Sequence, residues 1–225
     1  MFFLRYATIT GFCVALAAAS CFAQGGYGTT VAGDIAVPVG SFSQSAKTGY
    51  GAHVDFYWES TSNLRVSLFL GYTRWGVDND KVNQQNASMG GTGTYQLDGR
   101  VSAFPILLGV KFLAPGEGLR FYGLLEGGLY LYSAKVTGQK FENGIATQNI
   151  NQESSKSVPG ANLGLGLLIP LSKDLSLDLG GRYHLVKTDT YYVYDIYGNP
   201  YEVKTDKYYS IFLGVNWAYK SLTGK

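Results

Sequence analysis

The chain has 225 residues, a length that suits one domain or one large barrel. Charged residues make up only 15% of it, whereas 30 residues are glycine and 18 are tyrosine. This composition excludes a highly charged disordered chain and a coiled coil, and a formal net charge of +2 does not support nucleic-acid binding.

The first 23 residues predict a secretory signal peptide. Arg5 precedes a short apolar stretch, 9–19, and Cys21-Phe22-Ala23 has the small-x-Ala form of a cleavage signal. The competing interpretation is a lipoprotein signal, in which Cys21 becomes the lipid-bearing N-terminus. Residues 24–225 then form the mature domain, where no run of 18 apolar residues predicts a membrane-spanning helix.

Eight stretches of the mature chain alternate with a period of two, which predicts β-strands over 31–39, 52–58, 64–72, 104–112, 119–131, 161–169, 175–185 and 211–219. One face of every stretch is free of charge. The opposite faces carry the ionisable residues Asp34, His53, Asp55, Arg65, Lys111, Arg120, Glu126, Asp178, Arg182 and His184. We therefore expect one face to meet lipid and the other to line a polar interior.

The connections between these strands alternate between short and long. The short ones are 59–63, 114–118 and 172–174, and the long ones are 40–48, 76–94, 137–158 and 186–207. This pattern predicts an all-β, eight-stranded antiparallel up-and-down transmembrane barrel with short periplasmic turns and long extracellular loops. Aromatic residues at the strand ends predict an interfacial girdle of Trp58, Tyr72, Trp75, Trp217 and Tyr219.

Pro105 interrupts this pattern, because it falls inside the fourth predicted strand. A proline removes one ladder hydrogen bond, and a closed barrel has no free edge to accommodate it. We therefore expect a bulge or a local break near 103–105.

Several short motifs resemble the small outer-membrane barrels of the OmpA, OmpX and OmpW type. They are Val37-Pro38-Val39-Gly40-Ser41-Phe42, Thr48-Gly49-Tyr50-Gly51, Leu70-Gly71-Tyr72, Phe104-Pro105-Ile106-Leu107-Leu108-Gly109-Val110-Lys111-Phe112, Phe121-Tyr122-Gly123 and Glu126-Gly127-Gly128-Leu129-Tyr130. The resemblance implies a monomer in the cell outer membrane that contacts lipids and lipopolysaccharide. It also implies that the barrel-assembly machinery recognises the last strand, although Lys220–Lys225 follow the terminal aromatic residue here.

The inward faces of the predicted barrel offer four cations, Arg65, Lys111, Arg120 and Arg182, against four carboxylates, Asp34, Asp55, Glu126 and Asp178. An eight-stranded barrel is just wide enough for side chains to fill it. We expect these charges to neutralise each other as a plug, with His53 and His184 as neutral members of the network. The alternatives are a gate whose ion pairs open to admit ions, and a wider water-filled lumen.

The sequence predicts no catalytic site, no metal site and no cofactor. Neither histidine has a serine at a spacing that indicates a nucleophile, and two histidines without a mature-chain cysteine lack the usual ligand spacing of a metal site. The fourth long connection carries Tyr191, Tyr192, Tyr194, Tyr197 and Tyr201, a possible contact surface for a ligand. We expect a non-enzymatic structural or surface-interaction protein. The alternatives are a narrow porin-like channel and a lipid-modifying enzyme.

Overall fold

The structure, a computed structural model, describes residues 25–116, 118–187, 191–194, 200–203 and 206–220. The predicted signal peptide, residues 1–23 with Cys21, lies outside the described residues. Within these ranges, no helix combines the length and the apolar character needed to cross a bilayer.

Eight long strands form one closed antiparallel ring. Their bounds are β1 (Gly26–Val39), β2 (Gly49–Thr61), β3 (Leu64–Gly76), β4 (Thr94–Leu113), β5 (Arg120–Glu142), β6 (Ile145–Pro170), β7 (Leu175–Val186) and β10 (Asp206–Lys220). The ring runs β1-β10-β7-β6-β5-β4-β3-β2, so the first and last strands pair with each other. The predicted eight-stranded up-and-down barrel is confirmed. Two further strands, β8 (Tyr191–Tyr194) and β9 (Pro200–Val203), form a separate hairpin.

The uncharged positions of the strands point outward from the ring. Leu165 is 74% exposed and Leu108 is 65% exposed, whereas Asp178 and Arg182 on the opposite face are buried. Successive side chains of a strand point to opposite faces, so the period-two pattern in the sequence separates the two environments. The barrel is therefore apolar outside and polar inside.

The two ends of the ring differ. At one end, called the inner end here, short connections join the strands at 62–63, 114–119 and 171–174. At the other, the outer end, the first long connection contains a 3-10 helix (Gly40–Gln44) and the second contains the helix α1 (Asn79–Ser88).

The third long connection is not a loop, and the prediction of a connection over 137–158 is wrong. Here β5 and β6 continue as a paired hairpin and are joined by Asn143 and Gly144 alone. Both turn residues have positive φ, 50° and 78°, which suits the Asn-Gly pair of a tight hairpin turn. Because β4 begins at Thr94, the strands β4, β5 and β6 rise above the rest of the ring as one sheet, called the outer sheet below.

Pro105 interrupts one ladder of β4 without breaking the strand. Pairing with β5 is continuous through Pro105, but pairing with β3 lapses between Ile106 and Ala103 and resumes in the same register. The predicted local break is therefore present on one side only, with no bulge. The buried proline ring lies opposite Gly71, whose missing side chain leaves room for it.

Candidate functional site

Arg182 occupies the centre of the lumen. Its Nη2 donates to Asp55 Oδ2 at 2.9 Å and to Glu126 Oε1 at 3.3 Å, and its Nε lies 3.2 Å from Glu126 Oε2. The guanidinium carbon lies 4.6 Å from the ring centre of Phe69 and 4.4 Å from that of Phe212. One buried cation therefore connects side chains of four other strands across the barrel.

His53 joins this centre as a neutral imidazole. Arg182 Nη1 lies 3.1 Å from His53 Nε2, and an arginine N–H can only donate, so Nε2 accepts. The other ring nitrogen, Nδ1, then carries the proton and donates to Asp34 Oδ2 at 2.8 Å. The geometry thus assigns the tautomer of His53.

Lys111 and Asp178 form a second buried pair nearer the inner end. Lys111 Nζ lies 3.2 Å from Asp178 Oδ2, and the Tyr122 hydroxyl donates to Asp178 Oδ1 at 2.5 Å. The tyrosine ring fits because Gly166 and Gly180 have no side chains. A Cβ at Gly180 would lie 2.8 Å from the Tyr122 hydroxyl oxygen, and one at Gly166 would overlap it.

Arg65 forms the third pair, with a residue that the sequence analysis placed in a turn. Its Nε and Nη2 both donate to Glu59 Oε1, at 3.0 and 2.7 Å, and its guanidinium carbon lies 4.2 Å above the Tyr57 ring. Glu59 belongs to β2 and shares the inward parity of His53 and Asp55, a signal that could have identified it.

Arg120 does not take part in the network. Its side chain lies at the inner end and donates to the backbone carbonyls of Ala114 and Ser62, at 3.2 and 2.5 Å. The expected balance of four cations against four carboxylates is therefore wrong. Among the described ion pairs, three luminal cations, Arg65, Lys111 and Arg182, meet four carboxylates, Asp55, Glu59, Glu126 and Asp178. The fifth luminal carboxylate, Asp34, accepts from His53.

His184 lies in a separate hydrogen-bonded chain toward the outer end. Its Nε2 lies 2.9 Å from Ser210 Oγ and its Nδ1 lies 3.0 Å from the Tyr130 hydroxyl, which bonds Asn162 Oδ1 in turn. Asn162 then donates to Glu126 Oε2 at 2.8 Å, which links this chain to the central network. The fold therefore brings a serine from a distant strand beside His184, which sequence spacing could not show, and Ser210 is only 4% exposed.

Trp75 closes the outer end of the lumen and does not belong to the girdle, contrary to prediction. It is 1% exposed, donates from Nε1 to the Ala36 carbonyl, and packs edge-on against Phe42 and Tyr208 with ring centres 5.2 and 4.8 Å away. Outward residues of β3 such as Tyr72 have even numbers, so Trp75 points inward. Phe42 reaches it from the 3-10 helix of the first long connection.

The remaining predicted girdle residues lie on the outward face. Tyr72, Trp217 and Tyr219 are exposed, and Trp58 is half-buried at an outward position of β2. Trp217 and Tyr219 stack on each other near the inner end, with ring centres 6.3 Å apart.

The helix α1 covers one edge of the outer sheet. Asn79 accepts from the backbone N–H of Leu97 and donates to its carbonyl, both at 2.9 Å. Asn83, one turn along, does the same for Tyr95 at 2.6 and 3.0 Å. Four residues of a helix rise about as far as two residues of a strand. The side-chain amides of Asn79 and Asn83 can therefore bond alternate residues of β4, as the backbone of a neighbouring strand would.

The opposite edge of the outer sheet is open in the part of the chain that the structure describes. β6 pairs with β7 from Gly160 onward, and the Pro159 carbonyl still accepts from the Lys187 backbone N–H at 3.0 Å, so the first 14 residues, 145–158, pair with β5 alone. Most of these residues are exposed. The two edges of this sheet therefore differ: α1 covers the β4 edge, whereas no described strand pairs with β6 over 145–158.

The tyrosines of the fourth connection are placed only in part. The backbones of Tyr191, Tyr192 and Tyr194 lie in β8, and that of Tyr201 lies in β9. Tyr197 lies outside the described residues. Among the described side chains, no group of three or more His, Asp or Glu is arranged to hold a metal ion.

No protein-family model matches the chain, and no curated protein matches its sequence. Solved structures match its fold. Neisserial surface protein A matches with a TM-score of 0.51 at 14% identity, covering 85% of this chain and 96% of that protein. Ail, the attachment invasion locus protein of Yersinia pestis, matches with a TM-score of 0.51 at 16% identity, covering 87% of this chain and 99% of Ail. The chain has the fold of a small outer-membrane β-barrel.

Proposed function

We propose that this protein is a non-enzymatic outer-membrane protein whose barrel anchors a surface sheet that binds an extended segment of a partner. The observation that carries the proposal is the open edge of β6 over 145–158. An unpaired strand edge presents a row of N–H and C=O groups to another chain, and strand addition to such an edge is a common mode of peptide recognition.

The capped β4 edge supports this proposal. Natural sheets block edges that would pair with other chains, and Asn79 and Asn83 block this one. The helix α1 therefore covers the β4 edge of the outer sheet, and no described element covers the β6 edge in the same way. The two matched structures are those of a neisserial surface protein and of an attachment invasion locus protein.

The filled lumen argues against the alternative of a channel. Arg182, Phe69 and Phe212 cross the middle of the barrel, and Trp75 covers its outer end. An ion would have to separate buried charge pairs, and an uncompensated buried charge is strongly unfavourable.

A planar bilayer recording tests the anchor against the channel. The purified barrel, shown to be inserted by its heat-dependent gel mobility, should give no current steps above the bare membrane at any salt concentration. Stable unitary steps would refute the sealed lumen and favour the porin-like alternative.

Peptide selection tests the open edge. Peptides selected from a random library on the nanodisc-embedded protein should protect backbone amides within 146–158 from hydrogen exchange. Asn151→Lys places a charge on the free edge and should weaken binding, whereas Thr137→Lys, directly opposite on β5, should not. Peptides that protect other regions, or that bind Asn151→Lys unchanged, would contradict the proposal.

A lipid-modifying enzyme would need a nucleophile beside a base, and His184 with Ser210 is a described pair of that kind. Both side chains are buried in the lumen, and the Tyr130 hydroxyl lies 3.0 Å from Nδ1, the second ring nitrogen of His184. We therefore assign the pair to packing. Ser210→Ala should leave the lipid composition of expressing cells unchanged, and an altered lipid would contradict this assignment.

A further inference from the structure

The outermost turn of the outer sheet consists of two residues, Asn143 and Gly144. Glu142 and Ile145 on either side pair with each other, so no further residue belongs to the turn. Both turn residues are exposed. They are also the single Asn-Gly pair among the 225 residues of the chain. The turn therefore combines a unique sequence pair with free access to water.

An asparagine that precedes a glycine can react with its own backbone. The Gly144 backbone nitrogen attacks Cγ of the Asn143 side chain, a new C–N bond closes a five-membered succinimide ring, and ammonia leaves with the proton of that nitrogen. Water then opens the ring at either of its two carbonyls, which yields aspartate or isoaspartate. A side chain on the second residue obstructs the attack, and glycine has none. A Cβ built on Gly144 would meet no atom within 4 Å, so the space beside its nitrogen is open.

The pair of Glu142 and Ile145 that carries this turn has no third strand beside it. β4 begins at Thr94, which lies opposite Phe141, so β4 stops one residue short of the pair. On the other side, β6 pairs with β5 alone over this stretch. A two-stranded hairpin by itself is at best marginally stable in water.

A shift in register separates the end of the hairpin from the strands below it. Lys140 pairs with Gln148. The next pair is Phe141 with Ala146, so Thr147 has no opposite residue on β5. The segment from Phe141 to Ala146 is called the hairpin tip below. Segments with few buried contacts open locally at a free energy near zero, so the hairpin tip can open while the strands below it stay paired.

Other asparagines of the described chain lack one or more of these features. The side chains of Asn79 and Asn83 bond the backbone of β4, and Asn162 is buried in the lumen. Asn149 is exposed on the same hairpin as Asn143, but it precedes Ile150, whose branched Cβ crowds its own backbone nitrogen. Asn149 is therefore a matched internal control.

We infer that Asn143 is a site of spontaneous deamidation, at which the side-chain amide is replaced with time by the carboxylate of aspartate or isoaspartate. The reaction consumes water and uses no enzyme or cofactor. Isoaspartate directs the main chain through the former side chain and adds one methylene to it, which does not fit a two-residue turn. Either product also places a second carboxylate next to Glu142, which already bonds Lys140.

The hairpin tip should therefore unpair as the protein ages. Because β6 begins at Ile145, the loss of this pairing shortens the open edge of β6 from its outer end. The modification itself does not depend on the proposed function.

The test follows the folded, nanodisc-embedded protein at neutral pH in water labelled with heavy oxygen. Ring opening incorporates one solvent oxygen, so peptide mapping by mass spectrometry identifies each converted asparagine, and chromatography separates aspartate from isoaspartate. Asn143→Gly is the control variant, because a Gly-Gly pair also suits this turn and carries no side-chain amide. Hydrogen exchange of the same samples reports the pairing of the hairpin tip, and heat-dependent gel mobility reports the folded barrel.

Asn143 should convert at least about tenfold faster than Asn149, because a barrier lower by about 1.4 kcal/mol gives that ratio. Amides of the hairpin tip should exchange faster in aged than in fresh wild type, and equally in aged and fresh Asn143→Gly. An intact Asn143, or equal conversion of Asn143 and Asn149, would overturn the inference. Unchanged exchange of the hairpin tip at full conversion would overturn its predicted loss of pairing.

Discussion

Arg182 is the residue on which the interior most depends. Its replacement by methionine leaves Asp55 and Glu126 buried without their cation. We expect Arg182→Met to lower the free energy of unfolding by about 3–5 kcal/mol, measured by urea titration in lipid vesicles.

Arg120 provides the matched control. It is the same residue type, but it bonds only backbone carbonyls at the inner end. Arg120→Met should cost about 1–2 kcal/mol. Similar losses for the two variants would show that the central network does not carry the stability assigned to it.

The alternation of residues along each strand predicts which side chains point into the barrel, but not which of them pair with each other. It places His53, Asp55 and Arg182 inward, and the structure brings them together. The pattern misses Glu59, because that residue was assigned to a turn and not to a strand. It also misplaces Arg120, because the side chain of this first residue of β5 bonds carbonyls at the inner end of the barrel. Applied to Trp75, the same parity would have predicted a luminal residue, whereas a position near the strand end suggested the interface.

At the scale of the element, α1 acts as a cap for the outer sheet. Asn83→Ala removes both hydrogen bonds to Tyr95, so the backbone amides of Tyr95 and Leu97 should exchange faster with solvent. Hydrogen exchange read by mass spectrometry measures this effect, and the strands within the barrel should be unchanged.

Gln84→Ala is the control for this prediction, because Gln84 is the exposed neighbour on the same helix. It should leave the exchange of β4 unaltered. If both variants accelerated exchange equally, helix stability and not edge capping would explain the result.

The hairpin of β5 and β6 shows why the outer sheet was missed. Both faces of 145–157 are exposed and polar, so no alternation in hydrophobicity marks them as strand. The Asn143-Gly144 pair is the one local signal that predicts the turn. This segment is a strand because its backbone pairs with β5, and not because one of its faces is buried. Backbone pairing leaves no pattern of apolar residues in the sequence.

At the scale of the whole molecule, the outward face determines whether the barrel can enter a bilayer. Leu165 lies in the middle of the apolar run of β6 and is exposed. Leu165→Arg should cost about 2–4 kcal/mol, because it places a charge near the bilayer midplane. The measurement is the fraction of protein that refolds into vesicles, read from the mobility of unboiled samples.

Leu171→Arg makes the same change at an exposed position of the inner turn. At the interface the cost should fall to about 0–1 kcal/mol. Equal refolding of Leu165→Arg and wild type would mean that this face does not contact lipid, and the membrane orientation would have to be revised.

The seam between β1 and β10 joins the first described strand to the last, residues 27–39 to 207–220. Side chains also cross it, since Asn216 on β10 bonds Thr30 on β1 and Tyr57 on β2. Contacts between such distant parts of a chain form late and slowly. The ring therefore cannot close until β10 has been synthesised and reaches β1. Until then the backbone edges of both strands can pair with other chains. The time between synthesis of the chain and closure of the ring is therefore when the two seam strands are most exposed to aggregation.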